Sequence, residues 1–135
     1  MAFTGVKQSG GNFNGNLKFD NAKVNAGSSF NPNSGEFTAP KTAHYFFSIS
    51  GVTGTTKGAT TISVVKEDTI MYINEGNARS GQNSFSYAWI QRMNSGEKLS
   101  MVVTSNNLYA DAENPVILNG FSLVSTILNT LLIAS

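Results

Sequence analysis

The chain has no cysteine, so neither a disulfide framework nor a thiolate metal site is open to it. A domain of 135 residues needs no such bridges, because it buries roughly 65–70% of its unfolded surface around one core. Charge is scarce as well, at 13% of residues against about 25% in an average globular protein. The net charge is +1 and the basic residues are scattered singly, which excludes the clustered Lys and Arg needed to capture nucleic acid or anionic lipid. No apolar run is long enough to cross a bilayer as a helix, and no Gly-rich loop precedes a helix as phosphate-binding motifs require. The single histidine, His44, sits among aromatics with no acid or nucleophile beside it. Asp and Glu are few and mostly isolated in turns; their spacing leaves paired carboxylates open but supplies no catalytic constellation, and the chain reads as a non-enzyme.

What the chain does have is Gly, Ser, Thr and Asn, so its surface is polar through hydroxyls and amides rather than ions. None of its asparagines begins an Asn-x-Ser/Thr acceptor, which suggests an unglycosylated domain. The organising stretch runs from Val24 to Phe47. Pro32 fixes its own φ, and Asn33-Ser34-Gly35 offers residues tolerant of positive φ, so the chain should reverse there. Glu36-Phe37-Thr38 then starts a strand that Pro40 ends, because proline has no N–H for a sheet ladder. Beyond it, Ala43, Tyr45, Phe47 and Ile49 share one face, while His44, Phe46, Ser48 and Ser50 share the other.

The remaining chain reads as short strands between turn signals. Strands are predicted over 2–7, 13–19, 45–52, 60–66, 70–73, 84–93, 99–104 and 116–125. Polar loops cover 53–58 and 74–83, Asn94-Ser95-Gly96 repeats the turn chemistry of 33–35, and Asn106-Asn107 forms a further turn. Eight to ten such strands and no convincing helix before the tail indicate an all-β sandwich. Phe85, Tyr87, Trp89 and Met93 fall on one face of their strand, a pattern that suits a sheet core and would also suit a ligand platform. The tail, 125–135, carries Ile127, Leu128, Leu131, Leu132 and Ile133. It reads as an added strand or helix docked on the domain, a link to further assembly, or a free end.

Several of these residues carry a resemblance to a known family. Asn25-x-Gly27, Phe30, Asn31-Pro32, Gly35-x-Phe37-Thr38-x-Pro40 and Tyr45-x-Phe47 resemble the signature of the C1q domain, the globular head of the C1q/TNF superfamily. Ala2-Phe3-Thr4 is similar to that family's opening block. Leu108-Tyr109-Ala110-Asp111 and Asn119-Gly120-Phe121-Ser122-Leu123-Val124 are similar to its closing blocks. Ala43, Glu97 and Asn119 depart from the pattern, the first requiring an ordinary strand φ at a position where the family usually has glycine.

The resemblance implies a jelly-roll domain over residues 1–124 of about ten strands, followed by an apolar extension, and a homotrimer closed about a threefold axis. With aromatics on both faces of the Tyr45–Phe47 strand, one face is expected to fill the sandwich and the other to meet neighbouring protomers. Phe46, Phe85, Tyr87 and Trp89 are the candidates for that contact. Calcium, which some such heads bind near the apex, would fall to Glu75 and Asn83, with Asp111 and Glu113 as a second oxygen pair. Glu75 and Asn83 supply little charge, so weak or absent binding is expected.

By the same resemblance the domain is expected to be secreted, collagen-associated and innate-immune in setting. Met1 runs straight into the first predicted strand without a signal peptide, so the chain reads as a mature or excised domain, with a collagen-like or coiled-coil stalk upstream, or as a protein made without secretion. The function implied is a recognition module whose loops 53–58, 74–83 and 105–115 bind a glycan, a lipid or a protein with threefold avidity. The alternatives are a structural protein that builds a shell, fibre or matrix, and a TNF-like cytokine.

Overall fold

The computed structural model describes residues 1–55, 58–75 and 82–123. These form eleven strands: β1 (Ala2–Lys7), β2 (Gly11–Asn16), β3 (Asn21–Ala26), β4 (Phe30–Asn31), β5 (Glu36–Thr38), β6 (Ala43–Thr53), β7 (Thr60–Lys66), β8 (Asp68–Glu75), β9 (Ser84–Met93), β10 (Lys98–Ala110) and β11 (Val116–Ser122). All pairings are antiparallel and no helix occurs among the described residues.

Two layers result. The first runs β3–β1–β11–β6–β9. In the second, β10 is flanked on one side by β7 and then β8, and on the other by β2 and the β5–β4 pair. The layers are stitched at one end where Leu108 and Tyr109 pair with Thr53 and Val52. This is the jelly-roll sandwich that the sequence led us to expect, and it presents the outward faces of two different sheets to solvent.

The stretch from Val24 to Phe47 is the heart of the packing. Phe30 pairs with Phe37 across the β4–β5 reversal, and Gly35 N donates to Asn31 O at 2.8 Å to close the turn. Gly35 has φ +73, and a Cβ there would run into the carbonyl of Leu17, so the turn requires glycine twice over. Phe3 stacks on Phe30 at 4.3 Å between ring centroids and on Phe37 at 5.5 Å. Phe37 meets Tyr45 and Phe47 edge-on, and Phe47 stacks on Trp89 at 5.5 Å. Each such ring, fully buried, contributes about 1.5–3 kcal/mol relative to an exposed one. The hydroxyl of Tyr45 donates to the carbonyl of Lys41, which anchors the chain after Pro40.

Some strands differ from the expectation. β3 was not anticipated, because NAKVNA offers one large apolar residue, Val24, and that residue points outward. The second strand ends at Asn16; Leu17 and Phe19 are nevertheless buried, held by backbone bonds to Met101 and Pro32. β10 continues to Ala110, but its register against β2 slips between Val103 and Leu108. Residues 104–107 stand opposite Asn14 alone, with Asn106 at φ 56, so the Asn106-Asn107 turn signal marks a bulge inside a longer strand. Ala43 has no positive φ, as its side chain requires.

Candidate functional site

Strand alternation puts Tyr45, Phe47 and Ile49 inside the sandwich and leaves His44, Phe46 and Ser48 on the outer face of the first layer. Cross-strand register then assembles an apolar row there. Ile90 lies beside Phe46, Phe46 beside Phe121, Phe121 beside Ala2 and Ala2 beside Ala26. Ile90 is 60% exposed and Phe121 41%, and the rings of Phe46 and Phe121 stack at 4.9 Å. In the next row Thr4 Oγ1 donates to Asn119 Oδ1 at 2.7 Å and Asn119 Nδ2 donates to Ser48 Oγ at 3.3 Å, ending at Val24, 48% exposed. Thr4, Asn119 and Ser48 therefore bond to one another and leave the neighbouring apolar row uncovered.

The four residues expected at a subunit contact do not share one surface. Phe46 is on the outer face just described. Phe85 is only 6% exposed and belongs to the core, a correction whose physical reason is direction: alternation groups residues by face, and this group turned inward at the end of the strand nearest Val116. Tyr87 and Trp89 point the same way as Phe85 but are only partly buried, because β9 pairs with β6 and with no other described strand. With Ile70 and Met71 of β8, the corresponding edge of the second layer, they form the rim of the core. The indole Nε1 of Trp89 is buried with no hydrogen-bond partner, a cost of about 1–3 kcal/mol. Sequence reasoning missed Ile90, Phe121 and Val24; the usable signal was the period-two spacing of Ile90 from Ala88 and Arg92, opposite in parity to Trp89.

The described ends of the loops expected to bind ligand meet at one end of the sandwich. Asn83 N donates to Thr53 Oγ1 and Thr53 N to Asn83 O, each at 2.9 Å, while Gly54 N donates to Asn107 O at 2.7 Å. Residues 76–81 of the middle loop, the side chain of Glu75 and the tail 125–135 lie outside the described residues. Asn83 is exposed and tied through its backbone to Thr53, and the Glu75 Cα is paired with Thr60. Among the described residues no group of three or more His, Cys, Asp or Glu side chains comes together around a metal-sized space. Asp111 is committed to its own turn, where Oδ1 accepts from the backbone N of Glu113 and Asn114 and from Asn114 Nδ2. The Tyr109 hydroxyl also donates to it, which holds the Asp111 carboxyl below the usual carboxylate range and pushes the Tyr109 hydroxyl up.

The other end carries the ion pairs. Lys66 Nζ meets Glu97 Oε2 at 2.8 Å and Lys98 Nζ meets Glu36 Oε1 at 3.3 Å. Hydrogen bonding to Lys66 lowers the Glu97 carboxyl and that to Glu97 raises the Lys66 amine. No helix among the described residues is long and apolar enough to cross a membrane.

Comparison with known proteins fits this geometry. A family model described as C1q domain matches residues 2–123. The globular domain of zebrafish complement 1qA superposes with a TM-score of 0.71 at 16% identity, covering 91% of this chain and 97% of that one. Eiger TNF from S. frugiperda superposes with a TM-score of 0.66 at 12% identity, covering 92% of each chain. No curated protein matches the sequence.

Proposed function

The chain belongs to the C1q domain family, and from that premise we propose that it is a non-catalytic, homotrimeric recognition module working outside the cell. The observation that carries the reading is the uncovered row Ile90–Phe46–Phe121 on the outer face of the first layer. Large apolar residues set side by side on a sheet face are covered by something in a stable soluble protein. Domains of this family assemble as trimers, and the protomer offers two unlike surfaces suited to a ring. The row of one protomer meets the Tyr87–Trp89 rim of the next, a head-to-tail contact that closes after three copies. Phe46, Tyr87 and Trp89 thus serve the interface from two sides, and Phe85 backs the rim from within the core.

The loops 53–58, 74–83 and 105–115, whose described ends meet there, would then be presented three times at one end, where individually weak contacts to a glycan, a lipid or a protein gain avidity. Glu75 and Asn83 lie in this region and, with so little charge, would hold calcium weakly if at all. Met1 and the last described residues lie at the opposite end, by His44, which leaves room there for a stalk. Sedimentation equilibrium at micromolar concentration tests the assembly: a single species of three chains is expected, and a monomer that does not associate would remove the basis of the reading.

A further inference from the structure

The outer face of the second layer carries a different kind of surface, and we propose that it is a binding site for a neutral polyhydroxylated ligand, a sugar chain without charged groups. The proposal deepens the recognition reading above by naming the class of ligand and the face that takes it. Alternation along β2 turns Asn12, Asn14 and Asn16 outward together, about 7 Å apart. The first two are held by residues distant in sequence. Asn12 Oδ1 accepts from Thr55 N at 2.9 Å while its Nδ2 donates to Thr55 Oγ1 at 2.8 Å, a reciprocal pair that fixes the amide plane. Asn14 Nδ2 donates to Asn107 Oδ1 at 3.2 Å.

Asn107 is itself clamped. It belongs to the four-residue bulge of β10, and its carbonyl accepts from Gly54 N at 2.7 Å and Thr60 Oγ1 at 3.1 Å. Bulges of this kind re-aim side chains out of the regular ladder. Tyr109 pairs with Asn12 across the strands, so a partly exposed ring stands beside the amides.

The chemistry of this array selects its ligand. An amide has two donor hydrogens and an acceptor oxygen with two lone pairs. After the bonds above, Asn12 and Asn14 each retain a donor and acceptor capacity, and Asn107 retains both hydrogens of its Nδ2. An anion would need donors and positive charge, and a cation would need oxygens alone. Hydroxyl groups, which both donate and accept, match a surface that does the same. Because the amides are already oriented, binding costs little further side-chain entropy. The face is on the layer opposite the apolar row, so all three copies in a trimer would present it outward.

The test is nuclear magnetic resonance of the full chain titrated with maltohexaose, cellohexaose and laminarihexaose at millimolar concentration, reading the side-chain NH2 signals. At least one of these neutral glucans is expected to shift Asn12, Asn14, Asn107 and the Tyr109 ring together. The double variant Asn12→Ala, Asn14→Ala, both exposed positions, is expected to bind about tenfold more weakly while keeping its fold by circular dichroism. No concerted shift with any of the three sugars, or shifts undiminished in the double variant, overturns the proposal. The readout is made protomer by protomer: loss of the trimer would leave the shifts in place, and absence of the shifts would leave the trimer in place, so the two readings fail separately.

Discussion

The two outward faces of the sandwich obey the same alternation rule and end in opposite chemistry. On the first layer the outward positions of β6, β9 and β11 are Phe46, Ile90 and Phe121; on the second those of β2 are Asn12, Asn14 and Asn16. Their inward neighbours are alike, Tyr45, Phe47 and Leu118 in one case and Met101, Val103 and Leu108 in the other. Core formation therefore explains neither outward set. On the proposals made above, a partner copy would cover the apolar one and exclude water, and a hydrated ligand would meet the amide one and replace water hydrogen bonds one for one.

The strongest way to break this contrast is to place the same charge on both faces. Phe46→Glu buries an unpaired carboxylate in the subunit contact and should weaken association at least a hundredfold, read by sedimentation, with the protomer's circular dichroism retained. A variant that stayed trimeric would show that the row is not at the contact. A substitution between the layers should strike both faces alike. Gly120 lies under Phe3 and Phe47, and Gly120→Ala would drive a methyl group into both rings. We expect a loss of about 1–3 kcal/mol in chemical unfolding and parallel losses of trimer and ligand binding.

Acid should separate the faces. The Asp111 carboxyl is held low chiefly by Tyr109, so its stabilising bond is complete above the ordinary carboxylate range and is lost as pH falls through the depressed folded value. Protonation frees the Tyr109 ring on the amide face, and the apolar row, which carries no carboxylate, keeps its contact over the first part of that descent. Glu97 follows the same sign at the other end, through Lys66. The nuclear magnetic resonance shifts of the Tyr109 ring against sedimentation in a pH series check the order of events. The smallest effect belongs to Asn14→Glu, an exposed change expected to move stability by no more than about 0.5 kcal/mol and to leave the trimer intact.

How far the sequence could be read follows the range of the interactions involved. Strands 2–7, 60–66 and 84–93 were legible because their alternation is local, as was the reversal at Asn33-Ser34-Gly35, where one residue must take positive φ. The direction of each face was not. Phe46 and Phe85 looked equivalent as aromatics on alternating strands, yet one faces outward and the other fills the core, because that choice depends on which neighbours each sheet acquires. Ile90 drew no notice for the same reason, its apolar neighbours lying on β6 and β11 rather than in its own strand. The amide face was only half visible. The spacing of Asn12, Asn14 and Asn16 stands in the sequence, but Thr55 is 43 residues from Asn12 and Asn107 is 93 from Asn14, and only the bulge in β10 brings them together.

Light scattering on the wild-type chain, run beside Phe46→Glu across a micromolar concentration series, is the most direct measure of whether the apolar face is covered by a neighbour. A wild-type mass three times that of the 14.4 kDa chain, falling to a single chain in the variant, is the expected result. A wild-type protein that scatters as one chain throughout would contradict it.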